Sequence, residues 1–223
     1  MPKKLLNEKV IQQVREAFAE LQNPVDLLFF GKKSGCDYCE DTLQLLTEVA
    51  EISEKLSLQI YDLEDDAEVA EHYNVDKAPG LVLVARDGEN VTDYGIRYAG
   101  IPAGHEFSSL IFDLIRVSQR DSGLDAATRE FLRGLQEPVN LMVFVTPSCP
   151  YCPQAVLLAH QMAMESPMLQ AEMIEATEFP ELSNRYNVSG VPQTTINYGA
   201  GTMVGAAPAE MLAAEIRKAL QKA

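Results

Sequence analysis

Only four cysteines occur in the 223 residues, and all lie in two Cys-x-x-Cys pairs, Cys36/Cys39 and Cys149/Cys152. Cysteines that staple a small secreted domain bridge long loops, whereas a Cys-x-x-Cys disulfide closes almost none and adds little by constraining the unfolded chain. Basic residues are also scarce, 18 against 33 acidic, for a net charge of −15. That balance argues against nucleic acid or an anionic membrane surface as the main partner. No apolar run approaches the roughly 20 residues needed to span a bilayer, so no membrane partner is expected. The first residues are basic, but from Leu5 to Phe18 apolar side chains recur at helical spacing with charges between them. A secretory leader needs a continuous apolar core instead, so the expected location is the cytoplasm. Histidine is sparse: His72, His105 and His160 stand apart from both cysteine pairs and read as ordinary surface or boundary residues. Four thiolates suit zinc, but the pairs are 113 residues apart, far beyond the roughly 15–20 of a zinc ribbon, so no metal is expected. Gly199, Gly201 and Gly205 lack the spacing of a phosphate loop and read as a hairpin turn.

What is present is a repeat. The 113-residue shift carries Cys36 onto Cys149, Cys39 onto Cys152, Tyr73-Asn74-Val75 onto Tyr186-Asn187-Val188, and Pro79 onto Pro192. Residues 23–30 resemble 137–144 with a one-residue slip, and 98–107 resemble 203–212. The length suits two domains of about 110 residues. The predicted units are 1–118 and 119–223, each containing one cysteine pair, with 118–128 as a short polar linker that keeps them packed together. Each unit reads as a leading helix, predicted over 7–21 in the first, then strand, helix, strand, helix, strand, strand, helix. Strands alternating with helices and closing on a hairpin predict an α/β fold, with a central mixed β-sheet flanked by helices in each unit. Charge is uneven: 22 acidic and 11 basic residues up to Val117, 11 and 7 beyond it. Most of this reads as solvated surface that biases the choice of partner protein between the halves.

Each cysteine pair falls where a strand ends and a helix begins. Unpaired backbone N–H groups and the helix dipole favour a thiolate there, the reactive form of cysteine. Cys36 and Cys149 are the expected nucleophiles, exposed to substrate. Cys39 and Cys152, one turn further in, are the expected resolving cysteines, shielded until a mixed disulfide forms. Asp37 disfavours a thiolate at Cys36, partly offset by Lys32 and Lys33, while Pro150 suits a first helical position. The expectation is a more acidic Cys149 and a more readily reduced C-terminal pair. Pro79 and Pro192 directly precede strands. The plain reading is a strand start; the sharper one is a cis-proline turn beside the disulfide, with Ala78 and Val191 offering backbone to a substrate peptide. Tyr38 and Tyr151, between the cysteines, contact substrate or simply pack.

Cys-Pro-Tyr-Cys before a helix, followed some forty residues later by Val-Pro at a strand start, resembles the thioredoxin and glutaredoxin superfamily. Two such units in one chain resemble the protein disulfide oxidoreductases of thermophilic archaea and bacteria, a glutaredoxin-like group. The resemblance covers nearly the whole chain. It implies two tandem thioredoxin folds, dithiol–disulfide exchange on protein substrates and no bound cofactor. It also implies electrons from an NADPH-dependent flavoprotein of the thioredoxin-reductase type. Reductase, oxidase and isomerase share this machinery. Thioredoxin carries a buried acid six residues before its first cysteine; here Phe30 and Val143 stand at those places. Asp62 and Glu175, equivalent across the repeat and each ending a strand, are the candidate proton relays, with exposed carboxylates as the ordinary alternative. The first pair, Cys-Asp-Tyr-Cys, is less typical of the family than the second. Alternative readings are an electron-relay partner of a peroxidase system, with a peroxiredoxin as a further partner, and a metal or iron–sulfur module. The N-terminal tandem-thioredoxin part of flavin-dependent alkyl hydroperoxide reductases resembles this chain but carries one active pair.

Overall fold

A computed structural model describes residues 4–221. In chain order the first half contains α1 (Glu8–Ala17), β1 (Val25–Gly31), α2 (Cys39–Ala50), β2 (Leu56–Asp62), α3 (Ala67–His72), β3 (Gly80–Asp87), β4 (Asn90–Ala99) and α4 (Glu106–Gln119). The second contains α5 (Ala126–Arg133), β5 (Val139–Val145), α6 (Cys152–Ala163), β6 (Leu169–Glu175), α7 (Pro180–Arg185), β7 (Gln193–Ile196), β8 (Gly201–Val204) and α8 (Ala209–Leu220). Short polar caps set where the leading helices begin. Asn7 accepts the Val10 N–H at 3.0 Å, and Asp125 accepts the Thr128 N–H at 3.0 Å; each satisfies a donor the helix start leaves unpaired. The first helix is shorter than its periodicity predicts. It tightens into a 3₁₀ turn at Phe18–Glu20, and positions three apart eclipse in a 3₁₀ turn. Phe18 and Leu21 therefore both reach the core.

β1 is buried along its entire length, as a central strand with both faces covered requires. Its side chains alternate between two cores. Leu27 and Phe29 join a large cluster with residues of α1, α2, α4, α5, α6 and α8. Leu28 and Phe30 join a small cluster closed by α3 on the opposite face, and α7 closes the equivalent small cluster of the second half.

The two repeats do not keep separate sheets. Strand order is β2-β1-β3-β4-β6-β5-β7-β8, one sheet of eight. The halves meet where β4 pairs in parallel with β6, Ile96 opposite Ala171 through Ala99 opposite Ile174. Because β1 runs antiparallel to β3 and β3 antiparallel to β4, β1 runs the same way as β4, β6 and β5. The polar stretch expected as a linker is also packed down. Ser118 Oγ accepts the Gln22 N–H at 2.8 Å, and Gln161 of α6 donates to the Ser122 carbonyl at 2.6 Å.

Behind the seam lies a buried polar cluster. The Tyr98 hydroxyl and His160 Nδ1 both reach the same carboxylate oxygen of Asp113, so β4, α4 and α6 share one acceptor. Burial, together with the Asp113 charge, pushes the Tyr98 phenol well above its ordinary value of 10.0, so it remains a donor. His160 is thus no boundary residue: its exposure is 0%, because its helix face turns toward the other half of the chain. Replacing Asp113 by Ala leaves a buried phenol and imidazole without their acceptor. The expected loss is about 3–5 kcal/mol, against about 1 kcal/mol for Tyr98→Phe. Urea unfolding of both variants checks the ranking.

Candidate redox sites

Both cysteine pairs sit just beyond the C-terminal ends of equivalent strands, Cys36–Cys39 after β1 and Cys149–Cys152 after β5. Each pair is closed as a disulfide with Cα atoms 5.5 Å apart. Cys39 and Cys152 are the first residues of α2 and α6. The first cysteine of each pair therefore faces the open end of the helix, where unpaired N–H groups and the dipole favour a thiolate. Each bond closes within its own half, so the four sulfurs do not converge on one point. The expected order of shielding is seen, but not the expected degree. Cys36 is half-buried and Cys39 is 7% exposed, whereas Cys149 keeps only 8% and Cys152 none. The first cysteine of the C-terminal pair offers little more than an edge of its side chain.

The peptide bonds Ala78–Pro79 and Val191–Pro192 are both cis. Val191 lies beside the second disulfide, its carbonyl oxygen 3.7 Å from Cys149 Sγ. Ala78 and Val191 are half-buried, Pro79 and Pro192 buried. Both tyrosines between the cysteines are exposed, Tyr38 45% and Tyr151 68%.

The surroundings of the two sites differ. At the N-terminal site Lys33 is paired with Asp65 rather than left free beside Asp37. A groove of about 360 Å³ beside Cys39 is lined by Phe29, Leu43 and Ile60, with Lys32 and Asp62 at its rim. Asp62 accepts the N–H groups of Glu64 and Asp65 at 2.9 and 3.2 Å, and these bonds hold its carboxyl below the usual range. A larger depression, about 830 Å³, lies further along the β4–β6 seam between Tyr94 and Ser166 and is lined by no cysteine.

In the second half, shielded carboxyls lie near the strand ends instead: Glu106 and Glu175 are buried and Glu178 half-buried. Glu175, 2% exposed, ends β6 opposite Val145. It accepts the Thr177 hydroxyl and the Glu178 N–H, each at 2.7 Å. Two further acids were not singled out by sequence. Glu106 opens α4 with 1% exposure, and the residue before it donates its N–H to the Pro147 carbonyl at 2.9 Å, two residues ahead of Cys149. Burial pushes the Glu106 carboxyl up to about 7, against a hydrogen bond from Ser109 and the nearby His160. Glu178 is likewise pushed to about 7 by burial, with the charge of Glu175 adding to it and the Ile101 N–H opposing it. Glu106 belongs to the first repeat but follows the residue bonded to the loop that leads to Cys149. Its place one residue past the Gly104-His105 turn is visible in the sequence; the contact across the repeat is not.

Comparison with known proteins places this arrangement. A family profile described as a thioredoxin domain matches residues 139–221. The crystal structure of a protein disulfide oxidoreductase from Aeropyrum pernix superposes with a TM-score of 0.87 and 35% identity, over 95% of this chain and 92% of that one. AhpF of the Enterococcus faecalis alkyl hydroperoxide reductase superposes with a TM-score of 0.86 and 27% identity, over 95% and 99%. The corresponding alkyl hydroperoxide reductase protein of Staphylococcus aureus is 27% identical over 202 residues, 89% of this chain but 36% of that protein. The chain therefore spans about a third of the length of the curated relatives it matches. At 35% identity across nearly the whole of both chains, it belongs to the protein disulfide oxidoreductase family. It has two tandem thioredoxin folds, and its chemistry is thiol–disulfide exchange.

The Glu106 carboxyl has a testable signature. A carboxyl raised in the fold from its ordinary 4.5 to about 7 binds a proton more tightly in the native state than in the unfolded one. Its stabilising contribution is complete below about 4.5 and is lost as pH rises through about 7. Glu106→Gln cannot lose that proton. Its melting temperature relative to the unsubstituted protein is expected to climb between pH 5 and pH 8 and level off above. A difference independent of pH in paired melts would show that Glu106 titrates normally.

Proposed function

We propose that both disulfides work on protein substrates, that residues 1–118 and 119–223 act as the two units, and that the C-terminal site is the more reactive. The observation that carries this reading is the pairing, twice in one chain, of a helix-start disulfide with a cis-proline strand start. In the reduced enzyme the Cys149 thiolate attacks a substrate disulfide. One S–S bond breaks, a mixed disulfide forms and one substrate thiolate leaves. Cys152 gives up its proton and attacks Cys149 Sγ, which releases the second substrate thiolate and closes Cys149–Cys152. The substrate has gained two electrons and the enzyme has lost them. Glu106 and Glu175, buried near α6, are suited to take the Cys152 proton; Asp62 is the equivalent group at the Cys36–Cys39 site. Ala78 and Val191 present backbone beside the prolines to an extended substrate segment, with Tyr38 and Tyr151 as outer contacts.

No bound cofactor is needed for this exchange. The alkyl hydroperoxide reductase relatives support a flavoprotein reductase as electron source; in this reading it is an NADPH-dependent flavoprotein of the thioredoxin-reductase type, and the exchange runs in the cytoplasm. Among the described residues no helix is long and apolar enough to cross a membrane. The likeness to the alkyl hydroperoxide reductase proteins over 89% of the chain also favours a second reading, in which the chain relays electrons to a peroxiredoxin.

The test is reduction of a protein disulfide by NADPH and such a flavoprotein, using Cys36→Ser/Cys39→Ser and Cys149→Ser/Cys152→Ser. Loss of the C-terminal pair is expected to remove most turnover, and loss of the N-terminal pair less than half. Potentials near about −270 mV would mark a reductase, and values near about −180 mV an oxidase or isomerase. Peroxide turnover with a peroxiredoxin, without reduction of other protein disulfides, would select the relay. Failure of both pairs to form reversible disulfides would end the redox reading.

A further inference from the structure

The six residues that join β4 to α4, Gly100 to His105, run between the two redox sites and are bonded to both. At one end the Gly100 N–H donates to the carbonyl of Pro79 at 2.8 Å. In the middle the Ile101 N–H donates to Glu178 Oε1 at 2.8 Å, across from the first repeat to the second. At the other end the His105 N–H donates to the carbonyl of Pro147 at 2.9 Å, in the loop that leads to Cys149. The fit is close throughout. A Cβ on Gly100 would stand 2.6 Å from the Glu175 Cβ, and one on Gly104 would run into the Pro147 carbonyl. Both glycines also hold positive φ, +93° and +61°, so neither position accepts another side chain without strain.

The second repeat supplies an internal comparison. Its Gly205 N–H donates to the Pro192 carbonyl at 2.7 Å, the same bond that Gly100 makes to Pro79. That bond thus belongs to the fold of each unit. A Cβ on Gly205, however, would meet nothing within 4 Å. Only the copy between the halves is clamped from the far side, and the clamp is Glu178. Its other oxygen, Oε2, is buried without a partner, as is Oε1 of the neighbouring Glu175. Leaving buried carboxylate oxygens unpaired is costly, so Glu178 holds its bond to Ile101 in surroundings that offer little alternative.

We infer that Glu178 is a positioning residue for the Cys36–Cys39 site although it lies in the other half, and that through the 100–105 strap the state of each disulfide shifts the redox equilibrium of the other. The physical route is short. Opening Cys149–Cys152 changes the covalent constraint on its loop, and that loop's Pro147 carbonyl is fixed to the strap. The strap in turn fixes the carbonyl of Pro79, the cis-proline of the N-terminal site. Coupling of this kind is reciprocal, and it needs a continuous physical connection of the sort these three hydrogen bonds provide.

The inference rests on both pairs being redox centres, and the experiment separates the two claims. The full chain is equilibrated in dithiothreitol buffers, and the Cys36–Cys39 equilibrium constant is read by alkylation and the mass of the peptide carrying Cys36. It is compared with the constant in a Cys149→Ser/Cys152→Ser background, whose second site is permanently open. Coupling predicts a difference of fivefold or more, about 20 mV for a two-electron couple. Glu178→Ala is expected to shrink the difference to under twofold. Glu178→Gln, whose amide oxygen still accepts from Ile101, is expected to retain it. Gly104→Ala perturbs the strap at its other end and should act like Glu178→Ala; it decides the matter if the latter fails to fold. Equal constants in all backgrounds would overturn the coupling and leave the redox reading intact. If neither pair equilibrates with dithiothreitol, both claims fall.

Discussion

The parallel pairing of Ile96–Ala99 with Ala171–Ile174 joins two four-stranded sheets and decides which way every strand in the second half points. Because that contact is parallel, β1 and β5 run the same way, and the helices that follow them, α2 and α6, pack into one large core. The disulfides consequently stand along one edge of the molecule. Between β1 and β5 lie β3, β4 and β6, four strand spacings of about 4.8 Å, or roughly 19 Å. The ordinary twist of about 20–25° per strand turns the two strand ends by roughly 80–100° relative to one another.

The same short motif is thus set in two different electrostatic environments. Near Cys36, charges are exposed: Lys33 and Asp65 pair at the surface, and Asp62 is stabilised as an anion by backbone donors. In the second half, Glu106 is buried and Glu178 half-buried, and burial favours their protonated forms. A buried acid whose proton is held near neutral pH is the better placed to exchange protons with a thiol; an ionised one accepts a proton less readily. The difference comes from the neighbour each copy has across the seam. Glu106 stands at the start of the first repeat's last helix, which packs against α6 of the second half as well as against β1 and β3 of its own.

Much of this was legible from residue order. The repeat at 113 residues, the placement of each cysteine pair at a strand-to-helix junction and the strand-initiating prolines are local features. Local backbone chemistry governs them: a helix start supplies N–H groups wherever it occurs, and Pro79 and Pro192 each begin a strand in equivalent surroundings. The count and order of strands and helices followed from hydrophobic spacing, down to the closing hairpin of each unit. The small misreadings were also local, such as a first helix that ends early so that Phe18 and Leu21 can both face inward.

What residue order could not supply is the relation between the copies. Glu106, Glu178 and His160 look unremarkable in the chain, since nothing within ten residues of His160 shows that it will meet Tyr98 and Asp113 across the halves. The near-closure of Cys149, the burial of Glu106 and the strap from Pro79 to Pro147 all depend on which edge of one sheet pairs with which edge of the other. Residue order was enough for two α/β repeats with a cysteine pair at each strand-to-helix junction, because turn, cap and periodicity rules act over a few residues; the thioredoxin fold itself was read from the resemblance of the motifs. Tertiary structure alone decided that the two sites share one edge and have unlike surroundings, because burial and inter-strand pairing are properties of residues far apart in the chain.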